Sequence, residues 1–253
     1  VPLHEYVFQN IDKWPTKSAM IDGPTGRALT FTELRNKVDA VAAGLAERGF
    51  NKGDVFAIFS PNVPEYAIAF LGVSRAGGIN TTMNPLYTAD EVQNQLKDSG
   101  AKFLVTIPQF LDKAKQAIDG TSVEEIFVFG EATDATAFAS LMKESKPPEI
   151  QFDAQADLVA LPYSSGTTGL PKGVMLTHHN LVSNLTQITA VEKIKESDTL
   201  IGILPFYHIY GMVVIMNAAL FSGATIVTMP RFDLEQFLTL LQKYRVTVGY
   251  LVP

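Results

Sequence analysis

The sequence contains no cysteine among its 253 residues. Disulfide bonds, a cysteine nucleophile and thiolate metal sites are therefore excluded. Histidine is also scarce, and none of the four is spaced as a His-x-x-x-His pair, so a zinc site has little support. The first residues of the sequence have neither a basic start nor an apolar run, so we do not expect them to be a signal peptide.

A basic cluster is likewise missing, and the net charge is −6. Nothing in this charge pattern favours binding to nucleic acid or to an anionic membrane surface. The most apolar window, residues 211–229, is interrupted by Asn217, Ser222-Gly223 and Thr225. A membrane span needs roughly 20 apolar residues. The window therefore predicts a buried helix followed by a buried strand.

What is present suits a globular protein with a sizeable core, with 47% hydrophobic and 18% charged residues. The lack of cysteine fits a reducing compartment. We expect a cytoplasmic location, and a peroxisomal location stays open because its address would stand at a C-terminus beyond Pro253. The chain begins without Met and stops at Pro253 directly after a predicted strand. We therefore expect it to be a piece of a longer protein.

Hydrophobic periodicity predicts alternating helices and strands. Thr30-Phe31-Thr32 leads into a helix, which ends near Gly49. Thr88 and Glu91 match a capping box, in which each side chain satisfies a free backbone N–H group at a helix start. Further helices are predicted at about 65–75 and after residue 177. The residues spaced for one helical face are Leu34, Val38, Val41 and Leu45 in the first helix and Leu181, Leu185 and Ile188 in the last.

Short apolar runs bounded by turn residues predict the strands. Residues 131–156 are more polar and predict a short helix followed by a surface connection. This repeated alternation predicts an α/β fold with largely parallel sheets flanked by helices. The predicted strands cover residues 55–59, 103–107, 126–129, 158–163 and 174–177, with another near 246–252.

The segment from Tyr163 to Gly173 reads Tyr-Ser-Ser-Gly-Thr-Thr-Gly-Leu-Pro-Lys-Gly, with four hydroxyls, three glycines and Lys172 after the tyrosine. Glycines let the backbone approach a ligand closely. Successive backbone N–H groups can form an anion-binding concavity, and hydroxyls add donors of adjustable direction. The segment therefore predicts a polyphosphate-binding loop between two strands.

Two better-known phosphate loops do not match this segment. A Walker A loop has its lysine at the start of a helix, whereas Lys172 precedes Gly173 and a predicted strand. The Gly-x-Gly-x-x-Gly fingerprint of dinucleotide-binding folds is absent. On composition alone, a flexible polar loop without a ligand remains an alternative.

The whole string from Tyr163 to His178 resembles the signature loop of the adenylate-forming superfamily, which includes acyl-CoA synthetases, luciferases and peptide-synthetase adenylation domains. It looks most like the 4-coumarate–CoA ligase branch. Other segments fall in the order expected of the N-terminal portion of that family, so the resemblance covers nearly the whole chain. They are Leu29–Glu33, Gly53-Asp54, Asn62, Glu65, Ala76-Gly77-Gly78, Asn84-Pro85, Leu204–Tyr210 and Phe232–Pro253.

The resemblance implies an ATP-dependent carboxylic acid–CoA ligase. Such an enzyme forms an acyl-adenylate and pyrophosphate, and then transfers the acyl group to coenzyme A. Magnesium is expected with the nucleotide, and its protein ligand cannot be assigned here. The residues that would hold the ATP phosphates are Ser164, Ser165, Gly166, Thr167, Thr168, Gly169 and Lys172.

Four more residues match positions around the family's acyl and coenzyme A sites. His208 matches the pocket histidine that helps to orient the reacting carboxylate. Tyr210 matches a position that borders the acyl substrate, although an ordinary half-buried aromatic is the alternative. Val214 departs from the small polar residue of some plant coumarate ligases, which leaves room for fatty or other aryl acids. Arg231 stands where relatives often carry a basic residue that meets coenzyme A, with a solvated surface arginine as the alternative.

The resemblance also implies what is missing. No Gly-Tyr-Gly-x-Thr-Glu or Thr-Gly-Asp stretch is present, and the C-terminal swinging domain with its adenylation lysine is absent. We expect a partial N-terminal domain that lacks efficient catalysis alone, with about 51–195 forming one sheet subdomain and 1–50 plus 196–253 part of a second. Strands near 246–252 should lie at an unfinished sheet edge.

Two other functions remain open from the sequence. One is an amino-acid adenylation domain that loads a carrier protein, although the segment Pro205–Tyr210 favours the CoA ligases. The other is a non-catalytic nucleotide-binding or interaction module that has kept the loop. His178 and His179 follow the loop too late to reach the phosphates, and we interpret them as residues of a helix start.

Overall fold

The computed structural model describes residues 1–164 and 171–252, and within these ranges helices and strands alternate as predicted. The α-helices are α1 (Leu3–Phe8), α2 (Phe31–Glu47), α3 (Pro64–Arg75), α4 (Ala89–Ser99), α5 (Leu111–Ala117), α6 (His178–Glu192), α7 (Ala218–Phe221) and α8 (Leu234–Lys243). Short 3₁₀ turns cover Ile11–Lys13, Pro108–Phe110 and Phe138–Leu141, and a π-helix covers Gly211–Asn217.

The strands form two larger sheets and one hairpin. They are β1 (Ser18–Asp22), β2 (Ala28–Thr30), β3 (Val55–Phe59), β4 (Ile79–Thr82), β5 (Phe103–Thr106), β6 (Glu125–Val128), β7 (Thr136–Ala137), β8 (Leu158–Ala160), β9 (Tyr163–Ser164), β10 (Lys172–Gly173), β11 (Leu176–Thr177), β12 (Thr199–Gly202) and β13 (Thr225–Thr228).

Both larger sheets are mainly parallel. The seven-stranded sheet has the order β11-β8-β4-β3-β5-β6-β7, and its antiparallel pair is β11 with β8. The four-stranded sheet has the order β12-β13-β1-β2, and its antiparallel pair is β1 with β2. The prediction of an α/β fold with largely parallel sheets flanked by helices is confirmed.

Helix α2 shows how local signals and packing agree. Thr30 and Glu33 form a capping box at its start, which satisfies backbone N–H groups that have no partner within the helix. The predicted apolar face is buried. Gly72 of α3 lies so close to α2 that an added Cβ would be 2.7 Å from Val41 Cγ1. The buried residues between α2 and α3 belong to a core that also includes Met20 of one sheet and Phe56 of the other.

The structure corrects the predictions around residues 131–177. The strand predicted at 158–163 is divided into β8 and β9, and Pro162, which has no N–H group for a ladder, lies between them. The strand predicted at 174–177 is limited to Leu176–Thr177. The short helix predicted after residue 131 is a 3₁₀ turn preceded by strand β7.

The apolar window 211–229 is a buried helix followed by a buried strand, as predicted. The helix begins as a π-helix, Gly211–Asn217, and continues as α7 before β13 begins. Periodicity did not predict the π-helix. Among the helices of the described ranges, none has the length and apolar character needed to cross a membrane.

The strand predicted near residues 246–252 is present only as one bridge. Val248 pairs in parallel with Leu200, and its carbonyl accepts a hydrogen bond of 3.2 Å from the N–H of Ile201. This bridge lies at β12, one of the two edge strands of the four-stranded sheet. Its position at a sheet edge agrees with the prediction, but a full strand over these residues is wrong.

Candidate functional site

The predicted phosphate loop is carried by a β-hairpin. Strands β9 and β10 pair antiparallel, with Ser164 opposite Lys172 and Tyr163 opposite Gly173. Directly opposed residues place their side chains on the same face, roughly 5 Å apart at Cβ. The structure thus brings together two of the residues predicted to hold phosphate. The others, Ser165, Gly166, Thr167, Thr168 and Gly169, lie outside the described residues.

The stem of this hairpin is tied to helix α4. The hydroxyl of Tyr163 donates a hydrogen bond of 2.5 Å to Asp98 Oδ2. Partial burial raises the pKa of Tyr163, and the Asp98 carboxylate raises it further, so this phenol keeps its proton and remains a donor. Gly173 completes the stem, because a Cβ there would lie 3.1 Å from Leu161 Cδ1 and 3.2 Å from the Tyr163 ring.

His208 lies on the segment that follows strand β12. Its ring is exposed, and Nδ1 accepts a hydrogen bond of 3.3 Å from the backbone N–H of Tyr210. A ring nitrogen that accepts from an N–H group cannot carry a proton itself, so the neutral ring has its proton on Nε2. His208 is therefore arranged to donate a hydrogen bond from Nε2, which a carboxylate can accept.

Two threonines at the carboxyl end of strand β4 connect the hairpin with the His208 segment. Thr81 Oγ1 donates to the carbonyl of Leu161 at 3.1 Å, two residues before the hairpin. Thr82 Oγ1 donates to the carbonyl of Tyr207 at 2.8 Å, directly before His208. The predicted phosphate-binding and carboxylate-binding segments are thus fixed to adjacent residues of one strand. This edge is where open α/β sheets place their ligands.

A cavity of about 600 Å³ lies between helix α4 and the stem of the hairpin. Its wall combines carboxylates with aromatic and amide groups. The buried Gln95 at this wall donates from Nε2 to Thr81 Oγ1 at 2.9 Å. The lining residues include Tyr87, Glu91, Gln95, Asp98 and Tyr163.

The remaining predicted residues lie near the carboxyl ends of strands β12 and β13. Tyr210 is 41% exposed, and its ring packs edge-on against Tyr250 at 5.8 Å. Val214 is 8% exposed and belongs to the π-helix. Arg231 is exposed and follows β13. Since β12 and β13 are parallel, Arg231 and the His208 segment follow the same edge of the four-stranded sheet.

Lys172 and Arg231 are the two positively charged residues predicted to bind ligands, and their ion pairing is described within residues 1–164 and 171–252. The ion pairs found there include neither Lys172 nor Arg231. An exposed lysine opposite a serine, next to a Ser/Thr/Gly loop, is a donor set that fits a phosphate group. In the same ranges no group of three or more His, Asp or Glu side chains could hold a metal ion, so no magnesium ligand is assigned.

Several residues of this region were not predicted from the sequence to have a role in the site. They are Asn62, Thr81, Thr82, Gln95 and Asp98, all of which bond to the two predicted segments or to residues that support them. For Thr81 and Thr82 the available signal was the run Ile79-Asn-Thr-Thr82. Its polar side chains are buried in a sheet, where each hydroxyl or amide group needs a hydrogen-bond partner.

The chain belongs to the AMP-binding enzyme family, because its residues 7–253 match the sequence model of that family. It is 42% identical to 4-coumarate–CoA ligase 2 of Petroselinum crispum over 259 residues, which covers 100% of this chain and 47% of that protein. It is 40% identical to 4-coumarate–CoA ligase 5 of Oryza sativa subsp. japonica, with 100% and 48% covered.

Solved structures agree with this family assignment. A long-chain-fatty-acid–CoA ligase (FadD1) from Archaeoglobus fulgidus matches with a TM-score of 0.92 at 26% identity, covering 100% of this chain and 52% of that one. ATP-bound MatB from Rhodopseudomonas palustris matches with a TM-score of 0.84 at 28% identity, covering 98% and 48%. The predicted resemblance is confirmed, and the chain spans about half the length of the curated relatives it matches.

Proposed function

We propose that the protein containing these residues is an ATP-dependent carboxylic acid–CoA ligase, which forms an acyl-adenylate and then a thioester with coenzyme A. The observation that carries this proposal is the attachment of two different segments to the end of strand β4. One segment leads into the hairpin with Ser164 and Lys172, and the other leads into His208. A ligase needs these two kinds of group, for phosphate and for carboxylate, within one site.

The hairpin is proposed to bind the phosphates of ATP. Lys172 supplies a positive charge and Ser164 a hydroxyl, and the intervening Ser165, Gly166, Thr167, Thr168 and Gly169 supply further hydroxyl and backbone donors. Fixed donors aimed at charge that develops during a reaction are usually the largest contribution to catalysis. Magnesium would accompany the nucleotide and neutralise part of its charge.

His208 is proposed to hold the carboxylic acid through the proton on Nε2. Tyr210 and Val214 would form part of the wall around its acyl group. The apolar side chain at 214 favours a fatty or an aryl acid over a hydroxycinnamate with a polar contact there. Arg231 is proposed to meet the phosphates of coenzyme A, because it is exposed near the same sheet edge as the His208 segment.

We also propose a domain division, a source for the rest of the enzyme and a cellular location. The chain is part of the N-terminal ATP- and acyl-binding domain, with residues 51–195 in one sheet subdomain and residues 1–50 plus 196–253 in a second. The division is supported by strand membership, because strands β3 to β8 and β11 share one sheet and β1, β2, β12 and β13 share the other. The second half of the relatives' length would supply the rest of the enzyme, and the proposed location is the cytoplasm.

The test is ATP–pyrophosphate exchange with the protein at its relatives' length. Fatty, aryl and amino acids are each supplied, and we expect exchange with at least one fatty or aryl acid. Thioester formation with coenzyme A is then measured for that acid. Exchange with amino acids alone would favour an adenylation domain that loads a carrier protein. The absence of exchange with every carboxylic acid would overturn both enzyme functions.

The hairpin is tested separately with Lys172→Ala. Loss of one charge-assisted hydrogen bond to phosphate corresponds to about 1.5–3 kcal/mol, or roughly 10- to 100-fold in the dissociation constant of ATP. The matched control is Lys143→Ala, which removes an exposed lysine outside the hairpin. Titration calorimetry with both variants measures the effect, and equal ATP affinities would leave a polar loop without this ligand as the better explanation.

A further inference from the structure

The side chain of Asn62 bonds three backbone groups of the segment that leads to His208. Its Nδ2 donates to the carbonyls of Gly202 and Leu204, each at 2.9 Å, and its Oδ1 accepts from the N–H of Phe206 at 2.8 Å. Asn62 is only 4% exposed. Both amide hydrogens and one acceptor position are thus committed to one segment of five residues.

Thr82 adds a fourth bond to the same segment, through the carbonyl of Tyr207 at 2.8 Å. Asn62 follows strand β3, and Thr82 ends strand β4, which pairs with β3 in parallel. The segment itself follows strand β12 of the other sheet. Four hydrogen bonds therefore fasten the segment before His208 to the carboxyl ends of two strands in the opposite sheet.

The segment has little regular structure to support it. Its own turn is closed by the N–H of His208, which donates to the carbonyl of Pro205 at 3.1 Å. The orientation of the imidazole then depends on where this turn lies relative to strand β4 and the hairpin. Contacts from Asn62 and Thr82 determine that position, because they hold backbone groups on the N-terminal side of His208.

We propose that Asn62 and Thr82 are positioning residues that act through the segment 202–207 to place the His208 ring against the carboxylate of the acid. This inference rests on the role proposed for His208. Only a side-chain amide can supply two donors and one acceptor from a single planar group. An aspartate at position 62 could still accept from Phe206, but it would place a carboxylate against two carbonyl oxygens.

The kinetic test is a double-mutant cycle with His208→Ala in the protein at its relatives' length. Asn62→Ala and Thr82→Val should each lower kcat/KM for the acid, by up to about 100-fold for a displacement near 1 Å. The apparent KM for ATP should stay unchanged. In the His208→Ala background the same substitutions should have little further effect, because residues that act through one group are not additive. An equal loss in both backgrounds would overturn the proposal.

Thr225→Val is the matched control for Thr82→Val. Thr225 is also a buried strand threonine, and its hydroxyl donates to the carbonyl of Ser18 at 2.7 Å, within the four-stranded sheet. It should change neither kcat/KM for the acid nor KM for ATP. Thr82→Val changes the volume of the side chain little, so it keeps the proposal testable if Asn62→Ala does not fold.

Hydrogen exchange on the 253-residue chain gives a second readout that needs no activity. Asn62→Ala should increase exchange at the amide of Phe206 and in peptides covering residues 202–210, whereas Thr225→Val should not. If the wild-type protein catalyses no exchange of pyrophosphate but this segment loosens, the proposed function fails and the positioning of the segment stands. Unchanged hydrogen exchange in Asn62→Ala, or a working enzyme whose His208→Ala variant is fully active, would overturn the positioning role.

Discussion

Lowering the pH from 7 to 5 should destabilise this chain through two buried histidines. His178, at the start of α6, accepts a hydrogen bond of 3.0 Å at Nδ1 from the N–H of Leu3, and His4 of α1 contacts Ser74 Oγ at 3.1 Å. Burial, together with the smaller effect of the positive charge of Arg75, lowers the pKa of His4 to about 3. Burial also lowers the pKa of His178 to about 4, against the opposing effect of Asp157.

The direction of the change in stability follows from these pKa shifts. The ordinary histidine pKa of 6.5 applies to the unfolded chain, so below that pH the unfolded state binds two protons that the folded state does not bind. Stability is complete above pH 6.5 and is lost as the pH falls toward the folded-state values. Each histidine then lowers the free energy of unfolding by about 1.4 kcal/mol per pH unit, or about 2 kcal/mol between pH 7 and 5 and about 4 kcal/mol for the pair.

The assay is denaturant unfolding followed by circular dichroism at pH 7, 6 and 5. The double variant His4→Asn/His178→Asn should lose about 4 kcal/mol less than the wild type across this range, although it starts from a lower stability. His179→Asn is the control, because this neighbouring histidine is exposed on the same helix. An equal pH dependence in the wild type and the double variant would refute the reasoning.

Three further predictions concern packing, capping and the hairpin. Gly44→Ala would place a Cβ 1.9 Å from the carbonyl oxygen of Leu141, so we expect a loss of several kcal/mol in thermal or denaturant unfolding. Thr88→Ala removes the cap of α4 and should cost about 1 kcal/mol in the same measurement. Tyr163→Phe removes the bond to Asp98 and should weaken ATP binding in calorimetry several-fold, without a large change in the melting temperature.

Elements with a strong local pattern were predicted well from the sequence. Helix α2 has a continuous apolar face, helix α4 has a capping box, and strand β3 is an apolar run bounded by turns. Strand β1 was missed because polar residues, Ser18 and Asp22, stand at both of its ends and its parallel partner β13 lies about 200 residues further along the chain. The π-helix was missed because an apolar run does not distinguish its wider turns from those of an α-helix.

The residues of the candidate site also divide into those that were predicted from the sequence and those that were not. The residues that would contact ligands, such as Lys172 and His208, were predicted because they fall within recognisable segments. The residues that support them were not predicted, because a buried amide or hydroxyl shows its purpose only through its partner. Asn62 has partners about 140 residues away, at Gly202, Leu204 and Phe206. A hydrogen bond between residues so far apart in the chain leaves no local pattern in the sequence.

Strand β4 explains why the two ligand-binding segments would depend on each other. Valine at Thr81 and Thr82 would suit a buried strand and would avoid the cost of burying a hydroxyl, which is about 1–3 kcal/mol when it has no partner. Both hydroxyls have partners, and these partners are the backbones of Leu161 and Tyr207. The polar end of β4 is therefore better explained by the segments it holds than by the sheet that contains it. A shift of this strand end would move the hairpin and the His208 segment together, so it would disturb the proposed phosphate and carboxylate sites at once.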